Sequence, residues 1–183
     1  MARLYLVRHA EPAGTWADSA DPGLTERGRE QAQAAADRLR LVQPKQIVTS
    51  PLRRAVETAM PLSSALSLQP LTAPQVAEVP TPANMSLEHR SEWLRGVMAR
   101  NWSQTDPVLR EWRDTVVSAL TRLQVDTAVY SHFVAINAAL GASIGDDRVL
   151  CFHPAHTSVT ILETNGKALS LVELGETAET TVR

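Results

Sequence analysis

Short apolar runs alternate along this chain with longer segments of helical periodicity, and that alternation restricts the fold more than any other feature. The runs are Leu4–Val7, Ile47–Thr49, Ala128–Ser131, Val159–Leu162 and Leu169–Leu174. Their length and content of β-branched residues suit buried strands, some of them edge strands. Between them, Thr25 fits as the N-cap of a helix that repeats Gly28, Ala32, Ala35, Ala36 and Leu39 on one face and ends near Arg38 and Arg40. Ser50 reads as a second cap with Pro51 at the first helical position, then Leu52, Ala55, Val56 and Ala59, until Pro61 kinks or ends the helix. Asp106-Pro107 opens a third helix running to Leu123, with Val108, Trp112, Val116 and Leu120 expected inside. A fourth starts after His132 and stops at Gly141. Strands interleaved with helices imply an α/β fold with a largely parallel sheet covered on both faces.

Two segments fall outside the alternation. Gln69 to Pro82 holds four prolines and reads as an irregular excursion, and Ser86 to Trp102 as a helix that caps the sheet. A chain of 183 residues can bury a core unaided, so one domain over 1–183 is expected, with a cap or insertion around 69–105. The formal net charge of -2 gives no global attraction to nucleic acid or an anionic membrane, so any anion-binding feature must be local. A lone Cys151 excludes an internal disulfide framework and suits a reducing compartment. No secretory apolar segment follows Met1, and no stretch approaches the roughly 20 apolar residues of a membrane span. A cytoplasmic location is the expectation.

In open α/β sheets, ligands bind beyond the carboxyl ends of the strands. Three strand ends here carry ionisable groups: Arg8-His9 in "LYLVRHAEP", Arg53 and Arg54 in "TSPLRRAVETA", and His132 in "VYSHFVAIN". Two arginines in the first turn of a helix oppose its positive N-terminal dipole, a conflict an anion would relieve. Any one of these residues alone has an ordinary structural explanation. Their coincidence at one sheet edge points to a phosphoryl site: guanidiniums offer bidentate forks to oxygens, and two histidines add a nucleophile and a further donor.

At this point the chain resembles the histidine phosphatase superfamily (phosphoglycerate mutase-like). The likeness rests on "LVRHAEP" at 6–12, "LTERGREQA" at 24–32, "SPLRRAVETA" at 50–59 and "SHFVAIN" at 131–137. It implies a three-layer α/β/α sandwich and a covalent phosphohistidine intermediate. Matched residue by residue, His9 is the nucleophile, while Arg8, Arg53 and His132 hold the phosphoryl oxygens; Arg54 becomes a surface or supporting residue. The family pattern also places a glutamate acid/base in a loop after the third strand, where Glu78 in "QVAEVP" is the only acidic residue between Thr58 and Leu87. Glu11, close to His9, is its competitor. The sequence departs from the family in three places. Ala10 replaces the usual glycine. His132-Phe133-Val134, with Asn137 further on, stands where His-Gly-Gly with a later arginine is common. Gly14 and Thr15 occupy the neighbourhood of a usual asparagine. Phe133 can still offer its backbone N–H to phosphate while its ring narrows the pocket.

The chemistry sets its own demands. A histidine nucleophile must be neutral, which neighbouring arginines favour, with its second ring nitrogen held by an acceptor such as a backbone carbonyl. Guanidiniums neutralise the transferring phosphoryl group, so no metal or other cofactor is expected. One carboxyl group can protonate the leaving oxygen and then activate water. The expected activity is metal-independent hydrolysis of a phosphomonoester, with a small phosphorylated molecule or a phosphoprotein as substrate and neither nucleic acid nor membrane as partner. Phosphoglycerate mutase-type transfer is an alternative, although the chain lacks an obvious long insertion to enclose an intermediate. A weakly catalytic member that binds a phospho-ligand or a protein is another.

Three further features carry ordinary readings. His153 and His156 have H-x-x-H spacing but flank Pro154 in a loop, which favours structural roles over metal ligation. Trp93, Trp102 and Trp112 read as core, and His89-Arg90 as a solvated face of the cap. The oligomeric state is left open.

Overall fold

The structure, a computed structural model, describes residues 1–14 and 21–178; Thr15, one of the two positions opposite the family's asparagine, lies outside them. Six strands form one sheet: β1 (Ala2–Arg8), β2 (Gln46–Thr49), β3 (Leu71–Thr72), β4 (Thr127–Ser131), β5 (Val159–Thr164) and β6 (Leu169–Glu173). They lie in the order β3-β2-β4-β1-β5-β6. β3, β2, β4 and β1 run parallel, whereas β5 and β6 pair antiparallel. The mostly parallel sheet was expected; the reversal at β5 was not. It carries the start of β5 to the edge where β1 ends, with Val7 opposite Val159.

Alternation along the strands divides the core between two faces. Tyr5 and Val7 point to one side with Ile47, Ala128 and Tyr130, where α1 (Glu26–Leu39) and α2 (Arg53–Leu66) supply Ala36, Leu39, Ala55, Ala59 and Leu62. Leu4 and Leu6 point to the other with Val48, Val129 and Leu162, against Val116 and Leu120 of α4 (Pro107–Thr121) and Ile136 and Leu140 of α5 (Phe133–Ile144). The result is an α/β/α sandwich. α3 (Leu87–Met98) packs Leu94 and Val97 with Val79, Trp102, Phe133 and Val134, above the amino end of α5.

Several helix boundaries differ from the sequence expectation, each for a local reason. α2 begins at Arg53 with Leu52 in an extended conformation, because Ser50 spends its hydroxyl on the Leu52 N–H at 3.1 Å and on His132. Pro61 lies inside α2 and does not end it; the helix stops where Ser67 adopts a φ of 53°. Gly141 is interior to α5, and the left-handed stop falls at Gly145, with a φ of 70°. In α4 the buried residue of the first turn is Leu109, while Val108 is 67% exposed.

Thr25 caps α1 as expected, its Oγ1 accepting from the Gly28 N–H at 2.8 Å and donating to Glu11 Oε1 at 2.9 Å. Gly28 is needed for a different reason: an added Cβ would lie 2.3 Å from the Glu11 carbonyl oxygen. The "LTERGREQA" motif is therefore a clasp on the segment that follows His9, completed by the Glu11 N–H donating to Gln31 at 2.9 Å. Gly28→Ala should lower stability by about 1–2 kcal/mol, because the clash outweighs alanine's better helix propensity. Urea denaturation measures this, and an unchanged or raised midpoint would refute the close approach.

Candidate active site

The parallel pairing of β1 with β4 places Arg8 beside Ser131, so the next residue on each strand, His9 and His132, leaves the sheet at the same point. The His9 N–H donates to the Ser131 carbonyl at 3.0 Å, and the two imidazole rings lie 5.2 Å apart. Both are buried. His9 Nδ1 is 2.8 Å from the carbonyl oxygen of Ala10. A carbonyl can only accept, so Nδ1 carries the proton and Nε2 keeps its lone pair for attack. The Ala10 N–H in turn donates to Thr58 Oγ1 at 3.0 Å, tying the loop after His9 to α2.

His132 Nε2 meets Ser50 Oγ at 2.7 Å. That hydroxyl already accepts from Leu52, so its own proton is available to Nε2. The arrangement supports a proton on Nδ1, a buried atom with no hydrogen-bond partner among the described residues and thus a donor to spare. Burial pushes the pKa of both histidines well below the ordinary value, reinforced for His9 by His132, Arg8 and Arg54, and for His132 by Arg54, Arg8 and Arg90. Both rings are neutral at pH 7.

The arginine assignment needs correction. Arg53, expected at the phosphoryl oxygens, turns away: its side chain is 65% exposed and Nε pairs with Glu57 at 2.6 Å. Arg54 is the buried one, and its charge acts on Glu78, His9 and His132. Successive helical residues diverge by about 100° around the axis, so only one of the two can face inward. Arg54 belongs to the buried i, i+4 row with Thr58 and Leu62, whereas Arg53 and Glu57 form the parallel outer row. The dipole conflict at this helix start is relieved partly from within, the Asp21 carboxylate accepting from the Arg53 N–H at 2.7 Å.

Arg8 stays where it was expected. Its Nη1 donates to the Pro154 carbonyl at 2.7 Å, its guanidinium lies 5.1 Å from the Phe133 ring centroid, and burial lowers its pKa to about 10. Phe133 is buried, with its ring serving this contact and an edge-on one to His153 at 5.8 Å. Glu78 is buried at the amino end of α5 and accepts from the Val134 N–H through both oxygens, at 3.1 and 3.2 Å, and from Val79 at 2.9 Å. Burial raises its pKa above the ordinary carboxylate range, against the pull of those N–H groups and of Arg54 and Arg8. Glu11, its competitor, is engaged elsewhere, with Thr25 and with Arg27 at 3.8 Å.

Sequence reasoning missed two neighbours. Arg90, read as solvated, lies within charge range of Glu78, His132 and Arg54. His156 lies with its ring 5.8 Å from that of His9. Among the described residues no group of three or more His, Cys, Asp or Glu is arranged to hold a metal, and no helix is long and apolar enough to cross a membrane.

A buried pair of imidazoles within charge range of two guanidiniums, with a buried carboxyl group beside them, has the donors and the positive field that a tetrahedral oxyanion requires. The sequence pattern of the Histidine phosphatase superfamily (branch 1) matches residues 4–177, and the chain belongs to that family. Phosphoserine phosphatase 1 of Hydrogenobacter thermophilus is 36% identical over 83 residues, which span 43% of this chain and 39% of that relative. Among solved structures, the mycobacterial glucosyl-3-phosphoglycerate phosphatase complexed with VO3 superimposes with a TM-score of 0.75 at 22% identity, covering 94% of this chain and 98% of that one. Phosphoserine phosphatase from Entamoeba histolytica in complex with 3-phosphoglyceric acid gives 0.75 at 21% identity, covering 97% and 98%.

The titration directions fix an expectation for stability. The unfolded chain takes up protons on its histidines near pH 6.5, whereas folded His9, His132 and His156, the last lowered to about 4, do not. Folding is therefore progressively disfavoured as pH falls below about 6.5. Glu78, raised in the folded state, acts oppositely above its unfolded value but is one group against three. The thermal midpoint should fall measurably between pH 7 and pH 5; a flat profile would contradict the buried neutral histidines.

Proposed function

We propose that this protein hydrolyses phosphomonoesters without a metal ion, through a phosphohistidine on His9. The reading is carried by the His9 ring, which is buried beside His132 with Nδ1 held by a carbonyl and Nε2 left to attack. Arg8, Arg54 and the Nδ1–H of His132 bind the phosphoryl oxygens, and the Phe133 N–H at the start of α5 is a further donor. Guanidinium charge takes the place a divalent cation holds in other phosphoryl transfers, and it is preorganised because α2 and β1 position it before substrate arrives.

The bond from phosphorus to the leaving oxygen breaks as the bond to Nε2 forms. Glu78, whose protonated form burial favours, delivers its proton to the departing alkoxide. Its carboxylate then takes a proton from water as that water attacks phosphorus, which returns His9 to its starting state and releases phosphate. The burial that raises the Glu78 pKa favours the protonated form a general acid needs. Small phosphorylated molecules are the substrate class, in keeping with relatives named for phosphoserine and glucosyl-3-phosphoglycerate. We further take the chain as one domain, with the 69–105 segment as its cap and α3 facing the site through Arg90.

Hydrolysis of p-nitrophenyl phosphate in EDTA should proceed with the wild-type protein and fall by at least about 1,000-fold in His9→Ala. Equal rates for the two proteins would remove the reading. Arg54→Ala should cost about 100-fold or more, as expected for a donor to the transferring group, while Arg53→Ala stays within about threefold of wild type. The reverse ranking would restore Arg53 to the site. Glu78→Gln should slow an alkyl phosphate far more than p-nitrophenyl phosphate, whose leaving group hardly needs a proton; equal losses would move the acid elsewhere.

A further inference from the structure

The loop that carries His156 is built more tightly than a connection between α5 and β5 requires. Asn137, buried in α5, accepts from the N–H groups of Cys151 and Phe152 at 2.8 and 3.0 Å and donates to the Phe133 carbonyl at 2.9 Å, which fixes where the loop departs. Further on, three bonds hold the loop to the residue preceding His9. Arg8 Nη1 donates to the Pro154 carbonyl at 2.7 Å, the Thr157 N–H to the Arg8 carbonyl at 2.9 Å, and the Arg8 N–H to the Ser158 carbonyl at 3.2 Å. Between these anchors Thr157 is held at a φ of 58°. A β-branched residue is strained in the left-handed region, and such strain persists only where the surroundings enforce it. The outcome is a third imidazole beside the nucleophile, 5.8 Å from His9 and tilted 42° to it.

His156 differs from its two companions. It is only partly buried, so it stands at the mouth of the site rather than in its floor. Burial, helped by the cations Arg8 and Arg27, holds the ring neutral, with a pKa of about 4. A neutral imidazole offers one donor and one acceptor. Phosphoryl oxygens accept only and already have Arg8, Arg54 and His132, so they would use half of what His156 presents. A hydroxyl group both donates and accepts.

We propose that His156 is a specificity-determining residue that hydrogen-bonds a hydroxyl group on the alcohol leaving group, near the ester oxygen. This rests on the phosphatase reading above and adds a preference within it: a polar, hydroxylated alcohol over an apolar one of the same length. A polar group that bound substrate shields from water favours the ligand whose hydroxyl pairs with it over the analogue lacking that hydroxyl, which leaves it unpaired.

Glycerol 3-phosphate and propyl phosphate, a pair with the same carbon skeleton with and without hydroxyls, test this directly. The quantity read is the ratio of their kcat/KM values. The wild-type protein should favour glycerol 3-phosphate. His156→Ala should lower the ratio about 10-fold, and His156→Gln, which restores a donor and an acceptor, should recover a substantial part of it. Thr157→Gly provides a variant that keeps the imidazole and accepts the left-handed backbone. It frees the loop and should lower the ratio by about threefold. A ratio unchanged in both His156→Ala and Thr157→Gly would overturn the proposal, as would equal losses on the two substrates. If the wild-type protein does not turn over even p-nitrophenyl phosphate, the phosphatase reading falls first, which separates the two failures.

Discussion

The register between β1 and β4 is the constraint on which the rest of this molecule depends. Parallel pairing sets Leu4 opposite Thr127 and Arg8 opposite Ser131, so both strands end level at one sheet edge. His9 and His132 then emerge as neighbours without further instruction. A slip of one residue would exchange Leu4 and Leu6 with Tyr5 and Val7 between the two helical layers, so the hydrophobic core itself locks the register. The energy that fixes the site geometry is thus core energy, spent far from any charged group.

What the core gathers is costly to bury. Arg8 and Arg54 lie within charge range of each other and of His9, His132 and Glu78, in a buried setting. Three devices make the cluster tolerable. Both histidines stay neutral, Glu78 is capped by the Val134 and Val79 N–H groups, and Arg8 is bound to the Pro154 carbonyl. The excess positive field that remains suits a phosphoryl dianion. Burial and the same field keep His9 unprotonated, so in the proposed reaction the groups that bind the substrate also ready the nucleophile.

Much of this was legible in the chain. The apolar runs gave five of the six strands, because their hydrophobicity reflects burial on both faces; Leu71–Thr72 is too short and too exposed to register. Arg8, His9, Glu78, Phe133 and His132 lie where the motifs put them. The choice between Arg53 and Arg54 was also open to reading, since Thr58 and Leu62 share a face with Arg54 while Glu57 waits for Arg53 one row away. His156 was harder. Apolar patterning does not state strand direction, and a parallel fifth strand would have sent its leading loop to the opposite edge. Only the antiparallel pairing of β5 with β1 returns that loop to His9. Arg90 sits on a helix whose docking over the amino end of α5 depends on contacts too distant in sequence for any local pattern to show.

Transfer of the phosphoryl group to one ring nitrogen is the step around which the other assignments are arranged. Rapid acid-free quenching during turnover of a 32P-labelled substrate, followed by peptide mapping, locates that group. The account predicts label on the peptide containing His9, lost in acid, retained in alkali and absent from His9→Ala. Label on His132 or His156, or acid-stable label on a hydroxyl residue such as Ser50, would contradict it.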